Sequence, residues 1–363
     1  MKMGLRSRPW AGLDVGEASI KLVALQSGVG GTRQWVSELA VPRIAGAAGA
    51  AEPVMPPDAM ARLLNECFTR AGLTPRGLRG ITVGVSGGDV IVKQISLPLM
   101  DETEVGGALR FEARKHLPFD PATMVIDYQV LGRYPSEKRL DVLLAAVPTA
   151  RLERVLAPLR LLGVDADIVD AAPLALTNAL SKGVERDSEA RVMLDFGHVG
   201  SYLTLYQKGA PYFSRRLDFG GVQVTQAISA SLGIPFEEAE EWKLEAGSDD
   251  PSMKIQWDSR EMGAVRKSLE VLAEELRRSF AFYRTLGPLP DPFTLWLSGN
   301  TARLPGIAGQ LSELLDIPTL IFDPLDSLSA DPAAGAEGAA GAAGVATGGP
   351  QFAQAYGLAL RTA

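Results

Sequence analysis

The sequence predicts an α/β protein of two similar lobes built on a duplicated core. The first observation is an internal echo, in which residues 12–28 (GLDVGEASIKLVALQSG) and residues 193–209 (MLDFGHVGSYLTLYQKG) share one grammar. At a shift of 181 positions, Leu13, Asp14, Gly16, Leu22, Gln26 and Gly28 fall on Leu194, Asp195, Gly197, Leu203, Gln207 and Gly209. The second is that strand-like and helix-like periodicity alternates after each copy. The third is length: 363 residues are too many for one small core and enough for two domains of ordinary size. A repeat spaced at half the chain implies two lobes facing each other. Chance likeness between two hairpins is the competing account.

Each copy opens with a short apolar strand, Asp-x-Gly, and an alternating strand that runs to a Gly turn. After the first copy, residues 42–57 read as a polar, Pro/Ala-rich connection, followed by a helix over 58–71. Strands are expected at 81–85, ending in Ser86-Gly87-Gly88, and at 90–97. A helix over 101–116 stops before Pro118, and strands follow at 127–131 and 141–147. The helix over 150–162 ends at Gly163, the residue type that a helix C-terminus prefers. After the second copy, Gly220-Gly221 precedes a helix through Leu232, and residues 235–245 read as an acidic helix. Leu269, Leu272, Leu276, Phe280 and Tyr283 recur at three- and four-residue spacing, which predicts an amphipathic helix over 263–286. A strand at 295–298 and a helix at 305–315 come next. Residues 330–350 are Ala/Gly-rich low complexity, expected as a surface loop, and 352–361 read as a short closing helix. The expected organisation is a first lobe over 10–190 with an insert at about 86–148, a second lobe over 191–330, a flexible loop at 331–350, and a C-terminal helix at 351–363 that returns to the first lobe.

Composition narrows the function. A net charge of −7 argues against non-specific nucleic-acid binding, which needs a basic surface. Arg151, Arg154 and Arg160 read as a solvated helix face, with a local basic patch as the alternative. The single cysteine, Cys67, excludes an intrachain disulfide and reads as a buried structural thiol. Two histidines leave few ligands for zinc. Lys2, Arg6 and Arg8 are followed by Pro9 and Asp14 where a signal peptide needs an unbroken apolar run. No stretch approaches the ~20 apolar residues that span a bilayer. A cytosolic protein is expected, with no direct membrane insertion and with any attachment made through a partner.

The Asp-x-Gly turns carry the chemistry. Glycine lets backbone approach a phosphate closely, and aspartate can hold Mg²⁺ or its water shell, an ion that takes one or two carboxylates plus phosphates. Two such turns facing each other would clamp the phosphate chain of a nucleotide. Asp14, Gly16, Ser19 and Lys21 would serve one side, and Asp195, Gly197, Gly200 and Ser201 the other, with Asp14 and Asp195 as candidate metal ligands. Many hairpins use Asp-x-Gly purely for the turn, so the pair is more telling than either alone. A third element, residues 297–306 (LSGNTARLPG), is a strand that ends in Ser-Gly and opens into a helix. Free N–H groups at the helix start, around Gly299 and Asn300, would let adenosine lie against it. A strand–helix connection without a ligand is the equal alternative.

These motifs resemble the phosphate and adenosine motifs of the actin, sugar kinase and Hsp70 superfamily. Within it the chain is similar to the PilM family of type IV pilus assembly proteins, nearly throughout and in the same order. The matching stretches are GLDVGEASIKLVALQ, the insert beginning VSGGDVIVKQISLPLMDETEVGGALRFEARKHLPFD, then DFGHVGSYLTLYQKG, PFEEAEEWK and LWLSGNTARLPGI. The insert is the most discriminating piece, because it lies where the cell-division relative FtsA also carries its own subdomain. The resemblance implies an actin-like (ribonuclease H-like) fold with ATP and Mg²⁺ in the interlobe cleft. It implies an adaptor, peripheral to the inner membrane, that captures the N-terminal cytoplasmic peptide of a PilN-like single-span membrane protein. Pilus motor ATPases and further copies of the chain are additional partners that it admits. It gives Glu240 and Lys243 a role, with Lys243 near the nucleotide; a solvated acidic face is the plain reading of that helix. The peptide groove would be bordered by the 101–116 helix and the 90–97 strand, with Leu109 and Phe111 as core or contact residues.

Two departures stand out. Glu17 occupies the first phosphate loop where the family has a small or hydroxyl residue, and Asn300 replaces the second glycine of the adenosine turn. A carboxylate near a triphosphate repels it unless a metal or Lys21 offsets the charge. No residue is evident to activate a water, so ATP binding with weak or no hydrolysis is expected. A small-molecule kinase on the same fold and the cytoplasmic part of a type II secretion protein are the alternatives. The latter normally continues into a transmembrane helix, whereas this sequence stops at Ala363.

Overall fold

The computed structural model describes residues 8–28, 31–42, 55–181, 191–207, 210–247, 255–259, 262–286, 293–325 and 349–362. Most of the Pro/Ala-rich connection and of the Ala/Gly-rich run lies outside them.

Two five-stranded sheets repeat one topology. In the first, β1 (Trp10–Val15) pairs antiparallel with β2 (Ser19–Gly28), and β2 with β3 (Gly31–Ala40). On its other side β1 runs parallel to β4 (Gly80–Val85), and β4 to β8 (Ile168–Ala171). The second sheet repeats this with β9 (Arg191–Phe196), β10 (Ser201–Gln207), β11 (Ala210–Leu217), β12 (Leu295–Ser298) and β13 (Thr319–Ile321). Its order, β11-β10-β9-β12-β13, mirrors β3-β2-β1-β4-β8 strand for strand. This duplicated, two-lobed architecture is the actin-like fold.

Each sheet is covered on both faces. Outside the first lie α1 (Pro57–Arg70) and α3 (Thr149–Leu161), which bury Leu64, Phe68 and Leu159 on Leu13, Leu22 and Val83. Outside the second lie α5 (Gly221–Leu232), α6 (Phe236–Ala246), α7 (Gly263–Leu286) and α8 (Ile307–Leu315). The stripe read from the sequence is the buried face of α7, with Leu269, Leu272, Leu276, Phe280 and Tyr283 in the largest core. Between the lobes run two helices, α4 (Ala172–Ser181) and α9 (Ala353–Ala359). α4 buries Leu176 and Leu180 with Met193 and Tyr202 of the second sheet, while α9 buries Ala355 and Tyr356 with Val23 and Leu25 of the first.

The insert is a small α/β layer. β5 (Ile91–Pro98), β7 (Arg139–Pro148) and β6 (Met124–Tyr134) form an antiparallel sheet in that order. Helix α2 (Glu102–His116) buries Val105, Leu109 and Ala113 on it. The Glu104 carboxylate accepts from the Asp101 backbone N–H at 3.1 Å, tying down the helix start. Leu109 is core, whereas Phe111 is 81% exposed. Five elements were not anticipated from the sequence: β3, β8, α4, β11 and β13. Cys67 is fully buried, and burial pushes its thiol up to about 11.

Candidate functional site

The site is built from two matching rows of side chains. Antiparallel pairing sets Asp14 opposite Lys21 and Lys21 opposite Glu38 in the first sheet. In the second sheet the same pairing sets Asp195 opposite Tyr202 and Tyr202 opposite Arg216. Directly opposed residues point to the same face, so the rows read Asp-Lys-Glu and Asp-Tyr-Arg. The 181-residue shift that superposes Asp14 on Asp195 also superposes Lys21 on Tyr202.

Both rows border a cleft made of two adjoining cavities. The narrower, about 90 Å³, is lined by Asp14, Gly16, Lys21, Asp195, Gly197, Gly200, Gly299 and Asn300, together with Ser86, Gly87, Arg216, Gln351 and Gln354. The wider, about 660 Å³, is lined by Glu38, Ala40, Val41, Glu240, Lys243, Leu244, Thr301 and Arg303 among others. Glu17, Ala18, Ser19, His198 and Asn300 line both and form the waist between them. Of the site residues expected from the sequence, Ser201 alone lines neither cavity. Its hydroxyl is buried and donates to Phe219 O at 2.6 Å, a bond between β10 and the segment after β11.

Electrostatics make the narrow cavity short of positive charge. The Lys21 ammonium lies 3.5 Å from Asp14. Burial disfavours the charged lysine, but Asp14, Glu38 and Asp195 outweigh it and hold its pKa above the ordinary value. Burial also raises Asp14, with Lys21 opposing, and pushes Asp195 up to about 6 despite the Ser298 hydroxyl bound at 2.8 Å. Gln354 of α9 donates through Nε2 to Asp14 Oδ1 at 2.9 Å, and Asn300 donates through Nδ2 to Ser19 Oγ at 3.1 Å across the lobes. Asn300 Oδ1 and Gln351 Oε1 are buried acceptors without a hydrogen-bond donor. Two carboxylates raised by burial and two spare amide oxygens suit a hard cation, which takes oxygen ligands. Among the described residues no group of three or more His, Cys, Asp or Glu side chains could hold a metal.

The turns differ from expectation in detail. The Gly16 N–H donates to Ser19 O and the Gly197 N–H to Asp195 O, both at 3.1 Å, so neither is turned toward the cavity. In the third turn the positive φ, +89°, falls on Gly299, where a side chain would strike Phe196 O. Asn300 starts a 3-10 turn over Asn300–Arg303 and is not among the positive-φ residues.

Beside the wide cavity, Lys243 is buried. It donates to Gly221 O at 3.1 Å, Thr225 Oγ1 at 2.7 Å and Glu240 Oε2 at 2.8 Å, pinning α6 to α5. Burial would raise Glu240, but Lys243 and the Thr225 hydroxyl prevail and hold it low. His198 Nδ1 lies 3.7 Å from Glu240 Oε1. Arg303 reaches Glu38 of the other lobe at 3.7 Å. Gln354, Gln351, Glu38 and Arg216 escaped the sequence reading. At the 181-residue shift Glu38 falls on Phe219 and not on Arg216, so the echo does not announce them; the strand pairing places them in matching rows.

The comparisons bear on the family and the fold. Residues 12–363 match the family described as type IV pilus assembly protein PilM. A solved PilM-PilN type IV pilus biogenesis complex is similar at 27% identity, a TM-score of 0.75, and 98% of each chain. Ethanolamine utilization protein EutJ from Carboxydothermus hydrogenoformans shares the fold, with 15% identity, a TM-score of 0.57, and 97% of this chain against 89% of that one. So does a diol dehydratase-reactivating factor in nucleotide-free form, at 12% identity, a TM-score of 0.53, and coverage of 98% and 99%. The family match spans both lobes, the insert and the C-terminal helix, and the chain belongs to the family of type IV pilus assembly protein PilM.

Proposed function

We propose that the chain acts as an adaptor in type IV pilus assembly, binding Mg²⁺-ATP between its lobes and the N-terminal peptide of a PilN-like membrane protein beside its insert. The observation that carries the nucleotide reading is the facing pair of aspartates, Asp14 buried and Asp195 half-buried, on the two repeated hairpins around one cavity. The wide cavity, at about 660 Å³, has the size of small-molecule sites and takes the adenosine. The phosphate chain passes the waist at Ser19 and Asn300 into the narrow cavity. There Asp14 and Asp195 would hold Mg²⁺ directly or through its water, with Gly197, Gly200 and Gly299 among the lining. When bound, the ion neutralises phosphate charge that the cavity carboxylates would otherwise repel.

Glu17 sits at the waist and is exposed, so water screens much of its repulsion. Lys243 spends its donors on α5 and Glu240, and its role is to shape the wall of the adenosine cavity. No residue is assigned to activate a water, and nucleotide serves as a conformational ligand. The partner reading is supported by the similar chain solved as a PilM-PilN complex. The insert, with Phe111 exposed on α2 and β6 at an edge of its sheet among the described residues, offers peptide-binding surface. No helix among the described residues is long and apolar enough to cross a membrane, so the partner would supply the attachment.

The test is an anisotropy titration of the labelled PilN-like N-terminal peptide, with and without Mg²⁺-ATP. Saturable binding that shifts with nucleotide is expected, because both ligands contact one two-lobed body. Absence of binding in both conditions rejects the adaptor reading. Binding indifferent to ATP rejects the nucleotide as its conformational ligand.

A further inference from the structure

The geometry points to Arg216 as the residue that reads the terminal phosphate of a nucleoside triphosphate, giving the cleft its discrimination between ATP and ADP. This rests on the nucleotide reading above. Arg216 is the last member of the second lobe's Asp-Tyr-Arg row and lines the narrow cavity but not the wide one. It is grouped there with Ser86 and Gly87, which likewise touch only the narrow cavity, away from the adenosine end. A phosphate chain entering past the waist presents its last phosphate to this end.

Charge argues the same way. The carboxylates that line the narrow cavity are Asp14, Glu17 and Asp195, and its lysine and arginine are Lys21 and Arg216. Lys21 is already held by Asp14 and by the field of two further carboxylates. Arg216 is instead paired with Asp218, whose side chain is 92% exposed. An ion pair with so solvated a partner contributes little, so exchanging it for a phosphate costs little. The planar fork of a guanidinium matches phosphate oxygens two at a time. The backbone is shaped to admit it: a Cβ at Gly200 would lie 2.7 Å from the Arg216 guanidinium, so only glycine leaves it this path along the cavity wall.

Arg216 also lies against the root of the insert. A Cβ at Gly88 would lie 3.4 Å from its Nη1. The neighbouring Gly87 donates its N–H to the Tyr202 hydroxyl and accepts from it, each at 2.7 Å. Drawing Arg216 from Asp218 toward a phosphate therefore changes its contact with the loop from which the insert springs. Occupancy at the terminal phosphate is thus passed to the surface assigned to the partner.

The experiment is calorimetric titration of the full chain with Mg²⁺-ADP and with a non-hydrolysable Mg²⁺-ATP analogue, using wild type, Arg216→Gln, Arg216→Lys and Asp218→Asn. Wild type is expected to prefer the triphosphate by about tenfold or more, as a charge-assisted contact provides. Arg216→Gln is expected to remove that preference while ADP affinity stays within about threefold. Arg216→Lys retains part of the preference, and Asp218→Asn, which removes the competing carboxylate, retains all of it. Wild type and Arg216→Gln with the same preference overturn the inference alone. So does equal loss of both nucleotides in Arg216→Gln and Arg216→Lys, which would mark Arg216 as structural. Failure of wild type to bind either nucleotide overturns the nucleotide reading, and this inference with it.

Discussion

Asp195 shows most directly how burial prepares a site for a cation. Its folded pKa is about 6 against an ordinary 3.8. Below the lower value both states hold the proton, and above the higher one both have lost it. In between, the folded state holds it more tightly, so stability falls as pH rises from about 3.8 to about 6 and stays reduced above. Asp195→Asn removes that penalty and keeps an oxygen for the Ser298 hydroxyl. The expected result at pH 7.5 is a melting temperature above wild type without ligand, equivalent to about 1–3 kcal/mol, with the advantage vanishing toward pH 4. The same variant is expected to lose the thermal shift that Mg²⁺-nucleotide gives wild type. The Asp-x-Gly pairs were legible because the motif is short, local and repeated. Gln354 was not, because its bond to Asp14 joins residues 340 positions apart and no local pattern announces it.

At the scale of elements, α2 separates two hydrophobic residues that the sequence leaves equivalent. Leu109 is 2% exposed in the insert core and Phe111 faces solvent. Leu109→Ala is expected to cost about 2–5 kcal/mol, visible as faster hydrogen exchange through β5, β6 and β7. Phe111→Ser is expected to change stability by about 0.5 kcal/mol or less, while weakening peptide binding if α2 borders the partner. The amphipathic helices were readable because one face meets water. α4 was not, because Ala172, Leu176 and Leu180 meet one sheet while Ala179 meets α9, and a helix buried this far shows no clean stripe. β8 and β13 are short parallel strands of four and three residues, too brief for a two-residue period to register. β3 and β11 are the third strands of their hairpins, and the echo as aligned stops before reaching them.

For the whole molecule, the cleft is spanned by a few polar ties: Tyr202 with Gly87, Asn300 with Ser19, and Arg303 with Glu38. Tyr202→Phe removes the hydroxyl that serves both the N–H and the carbonyl of Gly87. The expected cost is about 1–3 kcal/mol, with exchange rising at residues 86–90 and little change within α7. An unchanged melting temperature and exchange pattern would show that this tie does not hold the insert root. The two-lobe plan was legible as a half-chain repeat, and the sheets answer it strand for strand. The way the lobes meet was not, because the contacts between them join residues remote in sequence.

Where α4 and α9 cross between the lobes, they touch backbone to backbone. A Cβ on Gly357 would lie 1.8 Å from Ala175 O, so no side chain separates them at that point. Contact so close blocks sliding along either axis, since any shift would drive the flanking side chains of one helix into the other. Turning about the point of contact keeps the spacing and is the movement left. Rotation at this crossing is the expected way for the cleft to change its gape. One fluorescent pair across the mouth would follow that rotation, whatever ligand sets it.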